Sequence, residues 1–429
     1  MATTSPAYRA LVRAAVPLVP LLLRDDRQQR AHAARRAAPA TLAAWARDHR
    51  DPGRPLAWFH APSVGEGLQA KAVFEALRTH RPDLQLLYTH FSPSAERFAA
   101  SLAVDGAGYL PYDRPRDVDA ALEAVRPDLL VFTKLDLWPE LATHAASRGA
   151  RVAMVAATVS PVSGRLRWPA LPATRSGYEV LDAVGAITAA DGARMSKLGA
   201  RAESIELTGD PRIDSVLAAV AAVDRSDPLL AIADPALTLV AGSTWPADEA
   251  VLLSAFAQLR TRHPGARLIV VPHEPTAEHL DRIDADAARL GLPAPVRLDR
   301  LAPGSTPPIV VGDRVGILAR LYANGSMAYV GGGFGKAGIH SVLEPAGWGR
   351  TIIIGPRDRG SRDVAVLQAG GRIDVLPEES PVEALLQRWE AMLDHPEVTT
   401  AEGRRNRAAL EGERGAAERS AAMLLRLLG

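Results

Sequence analysis

The chain has no cysteine among its 429 residues, which excludes disulfides and any metal site built on cysteine. Its formal net charge is only +1, so it lacks the overall positive charge of a nucleic-acid-binding protein, and we predict no nucleic-acid partner. Lysine is scarce, with four residues against 46 arginines, which together with the abundant alanine indicates genomic composition bias. The balance of 47% hydrophobic and 23% charged residues is typical of a globular protein, and the length suits two domains.

A long apolar run is also missing. About 20 apolar residues span a bilayer, whereas the run at residues 14–23 is half that length and contains Pro17 and Pro20. Residues 1–50 carry nine arginines against three aspartates. We therefore predict that residues 1–36 form a membrane-associating segment, which lies at the bilayer surface with its arginines against anionic headgroups. The alternative is a short helix that packs on the body of the protein.

Short β-rich apolar runs alternate with helical patterns along the rest of the chain, which predicts an α/β protein with parallel sheets. We expect two Rossmann-like domains facing across a cleft, residues 37–216 and 236–429, joined by a linker with two Asp-Pro breaks. Residues 400–428 predict one long closing helix. The predicted strands of the first domain are 56–60, 84–89, 129–133, 152–156, 183–188 and 205–208. Those of the second are 237–242, 268–271, 309–312, 328–331 and 351–355.

Neither half continues its first strand with Gly-x-Gly-x-x-Gly, which argues against a classical dinucleotide oxidoreductase. Polar residues instead follow several predicted strands, at the edge of a parallel sheet where ligands bind. Glu66 follows the first strand and begins a helix, where it suits a general base for an acceptor hydroxyl or simply a favourable charge in a first turn. Lys134, Asp136 and Trp138 follow the third strand, as site residues or as an ion pair beside a core tryptophan.

The second half offers three further segments. Ser243 and Thr244 follow its first strand, where two hydroxyls and free backbone N–H groups suit a phosphate, although an ordinary helix N-cap explains them equally. His273 and Glu274 follow the next strand, with capping as the alternative. Residues 331–338 hold five glycines and lead into a helix predicted from His340, an arrangement that favours a bound phosphate and leaves a tight crossover turn as the alternative.

In order along the chain, these segments resemble those of the Kdo (3-deoxy-D-manno-octulosonic acid) transferases, which have a GT-B fold. His-Ala-x-Ser-Val-Gly-Glu stands at residues 60–66, Leu-Pro-x-Asp at 110–113, Leu-Trp-Pro at 137–139 and Gly-Asp-x-x-x-Asp at 209–214. Gly-Ser-Thr-Trp-Pro at 242–246, Pro-His-Glu at 272–274 and the glycine-rich segment at 331–345 complete the series and resemble a divergent branch of the family.

The resemblance implies an inverting glycosyltransferase that moves Kdo from CMP-Kdo to a lipid A precursor in lipopolysaccharide biosynthesis. It implies no metal and no cofactor beyond the donor substrate, and a peripheral or monotopic location at the cytoplasmic face of the inner membrane. Glu66 is the implied catalytic base, with Ser63, Asp136 and Trp138 on the acceptor side. The implied donor-binding residues are Ser243, Thr244, His273, Gly332, Gly333, Lys336, His340 and Glu344.

Three departures from the family pattern stand out. Lys134 occupies the first acidic position of Glu-x-Glu-Leu-Trp-Pro-Asn, and Pro-Arg-His becomes Pro272-His273-Glu274, without the arginine that meets phosphate. The Asn-Phe that follows a late Gly-Pro is absent. Three other functions stay open at this point: a GT-B enzyme for another nucleotide sugar, a UDP-N-acetylglucosamine 2-epimerase, and an inactive membrane-bound binding protein.

Overall fold

In the computed structural model, residues 3–302, 304–336, 338–358 and 360–429 are described. The chain divides into two compact units, Met1–Ser215 with Gly415–Gly429, and Val216–Arg414. Each unit is built on a seven-stranded sheet in which every neighbouring pair of strands is parallel. The predicted α/β class with two parallel sheets is therefore confirmed.

The sheet of the first unit has the strand order β3-β2-β1-β4-β5-β6-β7. Its strands are β1 (Leu56–His60), β2 (Gln85–His90), β3 (Gly106–Tyr109), β4 (Leu129–Thr133), β5 (Arg151–Ala157), β6 (Ala183–Ala186) and β7 (Ile205–Leu207). Every residue of β1 and β4 is buried, because helices cover both faces of the sheet. Along β1, Trp58 packs in the core on one face and Phe59 in the core on the other.

The sheet of the second unit has the order β10-β11-β9-β8-β12-β13-β14. Its strands are β8 (Thr238–Thr244), β9 (Arg267–Pro272), β10 (Val296–Arg297), β11 (Ile309–Val311), β12 (Met327–Val330), β13 (Thr351–Ile354) and β14 (Ile373–Val375). The carboxyl ends of β11, β9, β8 and β12 are adjacent in this order, so the loops that follow these four strands lie side by side.

The helices of the first unit are α1 (Pro6–Ala15), α2 (Val19–Leu22), α3 (Asp26–His49), α4 (Val64–His80), α5 (Glu96–Ser101), α6 (Pro115–Val125), α7 (Pro139–Ser147), α8 (Ala170–Glu179) and α9 (Ala189–Leu198). The remaining helices are α10 (Pro211–Ala221), α11 (Pro246–Arg262), α12 (Ala277–Arg289), α13 (Leu318–Leu321), α14 (Leu343–Gly347), α15 (Arg362–Gly370), α16 (Pro381–Asp394), α17 (Pro396–Gly412) and α18 (Ala416–Leu428).

The closing segment differs from the prediction of one helix belonging to the second domain. Gly415, with a φ of 93°, breaks it into α17 and α18. The Asp214 carboxylate then accepts hydrogen bonds from the backbone N–H groups of Gly415 and Ala417 at 2.7 and 2.8 Å, which satisfies two free donors at the start of α18. Met423 and Leu424 pack in the core of the first unit, so the second unit ends at residue 414 and not at 429.

The segment 1–36 also differs in part from the prediction. Its described residues form α1, α2 and the first half of α3, which continues to residue 49 without a break at 36. Tyr8 is buried and donates a hydrogen bond to Asp113 at 2.8 Å, so the packed-helix alternative holds for α1. Leu21 and Leu22 are nevertheless 79% and 75% exposed. Among the described residues, no helix has the length and apolar character needed to cross a bilayer.

Candidate functional site

Glu66 lies in the first turn of α4, directly after β1 and at the carboxyl edge of the first sheet. Lys134 reaches it from the loop after β4, the neighbouring strand, and its Nζ lies 2.8 Å from Glu66 Oε1. Ser63 donates its hydroxyl hydrogen to the other oxygen, Oε2. The predicted catalytic base Glu66 and the predicted acceptor-side residue Ser63 are therefore in contact, and Lys134 completes the group.

The electrostatics of this group favour an ionised carboxylate. Burial alone would raise the pKa of Glu66, but the hydrogen bonds from Lys134 and Ser63 outweigh it and leave the pKa below its usual value. Lys134 has a φ of 65°, a conformation that is costly for a residue with a side chain. Its backbone N–H donates to the carbonyl of Val155 at 2.9 Å, which helps to hold this turn.

A second group lies beside the first. His60, the fully buried last residue of β1, has its Nε2 3.0 Å from Asp136 Oδ2, and its Nδ1 3.0 Å from the carbonyl oxygen of Thr89. Trp138 donates its indole N–H to the same Asp136 oxygen at 3.1 Å. Burial alone would raise the pKa of Asp136, whereas the contact with His60 and the indole N–H lower it, and the net pKa falls. Asp136 and Trp138 are thus held in one network with His60.

Arg35 is the residue of this region that sequence reasoning missed, because it falls within the predicted membrane segment. Its guanidinium is buried and lies over the rings of Phe91, Tyr112 and Trp138, at 4.4, 4.2 and 5.2 Å from their centres. Burial lowers the pKa of Arg35 to about 10. The guanidinium contacts the faces of three rings and so helps to hold the Trp138 ring in place. The sequence signal that could have predicted the burial of Arg35 was its position in the helical repeat of α3.

Another motif proves to be structural. The carboxylate of Asp113 accepts hydrogen bonds from the backbone N–H groups of Glu140 and Leu141, each at 2.9 Å, and so caps the start of α7. Tyr8 donates to the same carboxylate. Burial raises the pKa of Asp113 to about 6. The Leu-Pro-x-Asp element therefore positions α7, which begins directly after Trp138.

In the second unit, the carboxyl ends of the strands border a cavity of about 370 Å³. Ser243, His273 and Glu344 line it, three of the residues that the sequence predicted for the donor. Among the described residues, no hydrogen-bond or ion-pair partner contacts the Glu344 carboxylate, and burial raises its pKa. The cavity therefore holds a carboxylate that is open to a ligand.

His340 lies next to this cavity rather than in its wall. Its ring stacks on that of His273 with 4.2 Å between the centres, and the ring of Trp245 also stacks on His273 with 5.0 Å between the centres. Burial and the neighbouring His273 lower the pKa of His340 to about 4, so its ring is neutral at neutral pH. The indole N–H of Trp245 donates to His340 Nε2 at 3.2 Å, which fits that neutral state.

The glycine-rich loop packs against other backbone segments. A Cβ on Gly331 would lie 2.3 Å from the Ser243 carbonyl oxygen, and a Cβ on Gly333 would lie 2.6 Å from the Cα of Gly355. Gly332 has a φ of 99°, which a residue with a side chain rarely adopts. These contacts require glycine at the three positions whether or not a ligand binds, so the tight-crossover alternative explains the three glycines.

Three donor-side expectations change in the structure. The hydroxyl of Thr244 is buried and donates to Glu249 Oε1 at 2.7 Å, so it is hydrogen-bonded inside the second unit and does not line the cavity. Lys336 is exposed and also lies outside the residues that line the cavity. The helix expected from His340 begins only at Leu343 and has five residues, too short for a phosphate site built on a helix dipole.

Asp248, on α11, is a further residue that sequence reasoning missed. Its carboxylate accepts hydrogen bonds from the hydroxyl of Tyr329 at 2.8 Å and from the backbone N–H groups of Gly332 and Trp245, each at 2.9 Å. Burial raises the pKa of Asp248. One carboxylate thus ties the glycine-rich loop to Trp245, which precedes α11. The only signal in the sequence was the position of Asp248 three residues after Trp245.

Comparisons with known proteins bear on this arrangement. A profile of 3-deoxy-D-manno-octulosonic-acid transferases (kdotransferases) matches residues 28–215. The transferase of that name from Haemophilus influenzae is 24% identical over 379 residues, with 84% of each chain covered. The one from Bordetella pertussis is 28% identical over 385 residues, with 85% of each covered. The chain is thus similar to Kdo transferases along most of its length, and these matches support a glycosyltransferase.

Solved structures confirm the fold prediction. UDP-N-acetylglucosamine 2-epimerase from Neisseria meningitidis has a TM-score of 0.61 and 13% identity, and covers 87% of this chain and 100% of its own. The epimerase from Methanocaldococcus jannaschii has a TM-score of 0.56 and 13% identity, with 83% and 98% covered. At such identities the likeness concerns the fold alone. The sequence relatives, and not these structures, therefore decide between the transferase and the epimerase.

Proposed function

We propose that this protein moves Kdo from CMP-Kdo to a hydroxyl of a lipid A precursor, with inversion at the anomeric carbon. The observation that carries the proposal is the Glu66 group, in which an ionised carboxylate is held by Lys134 and Ser63 at the edge of a sheet where ligands bind. Relatives named as Kdo transferases along 84% of the chain support the choice of sugar.

In the proposed reaction, Glu66 removes the proton from the acceptor hydroxyl as its oxygen attacks the anomeric carbon of Kdo. The bond between that carbon and the phosphate oxygen breaks, and CMP leaves with the electron pair. Ser63 and Lys134 orient the Glu66 carboxylate. The Asp136 network, with His60 and Trp138, shapes the neighbouring surface for the acceptor.

On the donor side, Glu344 is proposed to accept hydrogen bonds from ribose hydroxyls of CMP, because its carboxylate lines the cavity and has no other partner among the described residues. Ser243 and His273 are proposed to lie near the phosphate. We expect the reaction to need no metal ion, with charge on the leaving phosphate stabilised by cationic side chains and backbone N–H groups.

The membrane location belongs to the same proposal. Leu11, Leu18, Leu21 and Leu22 are 63, 54, 79 and 75% exposed on α1, α2 and the turn between them, and Arg13 and Arg24 stand beside them in the sequence. Apolar side chains flanked by arginines suit the interface of an anionic bilayer, and the lipid acceptor resides there. We therefore place the enzyme at the cytoplasmic face of the inner membrane, attached at its surface.

The reaction is tested by incubating the purified protein with CMP-Kdo and a lipid A precursor and weighing the lipid product. A mass increase of one or more Kdo residues, with release of CMP, supports the proposal. Epimerase activity on UDP-N-acetylglucosamine without Kdo transfer would replace it. An absence of both, with CMP still bound, would favour the inactive binding protein.

The location is tested by sedimentation with vesicles of phosphatidylglycerol. Changing Leu21 and Leu22 to serine should weaken vesicle binding by roughly tenfold or more, because two exposed leucines lose their apolar surface. The matched control is V375S, which removes a 44% exposed valine from the second unit. Equal sedimentation of both variants and the parent would remove the segment from the membrane contact.

A further inference from the structure

One charged residue of the donor cavity is not accounted for by the family motifs. Arg314 follows β11 and lines the same cavity as Ser243, His273 and Glu344. The order β11-β9-β8 places the carboxyl ends of three neighbouring strands together, and these strands lead to Arg314, His273 and Ser243 respectively. The topology therefore delivers an arginine to the cavity wall beside the residues assigned to the donor.

The charge balance of the cavity makes this arginine important. Among the described residues that line it, Arg314 is the only arginine or lysine, while Glu344 contributes an acid. His340, stacked behind His273, is neutral at neutral pH because its pKa is lowered to about 4. The neighbouring segment Pro272-His273-Glu274 contains no arginine or lysine. A strongly anionic ligand in this cavity thus needs a cation from elsewhere in the wall.

The guanidinium of Arg314 is available for a ligand. Its side chain is 50% exposed, and it pairs at 3.1 Å with the adjacent Asp313, whose own side chain is 12% exposed. Asp313 also accepts a hydrogen bond from the backbone N–H of Asp299 at 2.7 Å. Asp313 therefore keeps a partner when Arg314 turns toward a ligand.

We propose that Arg314 binds the anionic oxygens of the nucleotide-sugar donor. The planar guanidinium donates two parallel hydrogen bonds to a phosphate or a carboxylate. A donor with a nucleotide phosphate and a sugar acid offers both groups. This inference rests on the proposed function, since it takes a CMP-linked sugar acid as the ligand.

The test is calorimetric titration of the full-length protein and two variants with CMP and with cytidine. R314Q should weaken CMP binding by roughly 10- to 100-fold, the effect of losing hydrogen bonds to a charged group, and leave cytidine binding unchanged. R314K keeps a point charge and should lose less. The matched control is R282Q on α12, whose arginine is similarly exposed at 47% and pairs with Glu278.

The outcomes distinguish the phosphate from the sugar carboxylate as the group that Arg314 binds. A loss for CMP assigns Arg314 to the phosphate. Unchanged CMP binding with a higher KM for CMP-Kdo in R314Q assigns it to the sugar carboxylate, and either result supports the proposal. Unchanged CMP affinity together with an unchanged KM overturns the role of Arg314 alone. Failure of the parent protein to bind CMP overturns the proposed function as well.

Discussion

The candidate site carboxylates of the two units differ in how completely their hydrogen bonds are satisfied. In the first unit, Glu66 has partners on both carboxylate oxygens, and Asp136 is held by His60 and Trp138. In the second unit, Glu344 has no side-chain partner among the described residues. A group that takes a proton must be held in one orientation and one charge state, whereas a group that binds a ligand must keep its hydrogen-bonding capacity free.

The difference also separates the effects of mutation. Removing a satisfied group disturbs its neighbours, whereas removing an unsatisfied buried carboxylate relieves the fold of a desolvation cost. Activity and stability are therefore expected to move together at some positions of the first unit and in opposite directions at Glu344. The three predictions below test this contrast.

The largest effect is expected for E66Q. The amide keeps the shape of the side chain but cannot take a proton, so transfer should fall by about 10² to 10⁴-fold. CMP affinity should stay the same, because the cavity that we assign to CMP is formed by residues of the second unit. Initial rates and calorimetry check the two statements. The control is E75Q on the same helix, whose parent side chain is 57% exposed. More than half of the activity left in E66Q would remove Glu66 from the mechanism.

A smaller effect, on affinity, is expected for E344A. Loss of a charged acceptor for ribose hydroxyls should weaken CMP binding by roughly 1.5–3 kcal/mol. The temperature of unfolding should stay unchanged or rise, because the variant removes a carboxylate that lacks a partner. Glu274→Ala serves as the control, since Glu274 is exposed and does not line the cavity. Unchanged CMP affinity would move the nucleotide away from Glu344, and a large drop in stability would show that Glu344 has a structural role.

The central strands and the fold class were predictable from the sequence, since strands buried on both faces leave continuous apolar runs. The predicted bounds of β1 and β4 agree with the structure. The edge strands β3, β10 and β14 were missed, because Gly106-Ala-Gly-Tyr109, a two-residue strand and Ile373-Asp-Val375 carry no such run. The return of α18 to the first unit depends on Asp214 and Gly415, which lie 201 residues apart.

The site was predictable where a residue follows a strand, because strand order places such residues together. Glu66 and Lys134 met in this way, and so did Ser243 and His273. The direction of a side chain was not predictable. Thr244 points into the core toward Glu249 although its neighbour Ser243 lines the cavity. Successive side chains of a strand point to opposite faces, so either Ser243 or Thr244 could have faced the cavity, and only tertiary packing decides which one does.

The smallest effect is expected for K134M, which tests whether the contact with Lys134 keeps the Glu66 carboxylate ionised. Burial raises and the Lys134 contact lowers the pKa of Glu66, so removal of the ammonium should raise that pKa. The acidic limb of the pH profile of kcat/KM should therefore move to higher pH. Above neutral pH the Glu66 carboxylate is charged in both proteins, so its ionisation should change kcat/KM little there. The stability from this ion pair follows the same sign: it is present above the pKa of unfolded glutamate and lost as pH falls through the lowered value in the folded state. K134R keeps the charge and should restore the limb, and K71M on α4, whose lysine pairs with Glu75 at 3.7 Å, is the matched control. An acidic limb that stays in place in K134M, with activity lost at every pH, would mean that Lys134 contacts the substrate rather than tuning Glu66.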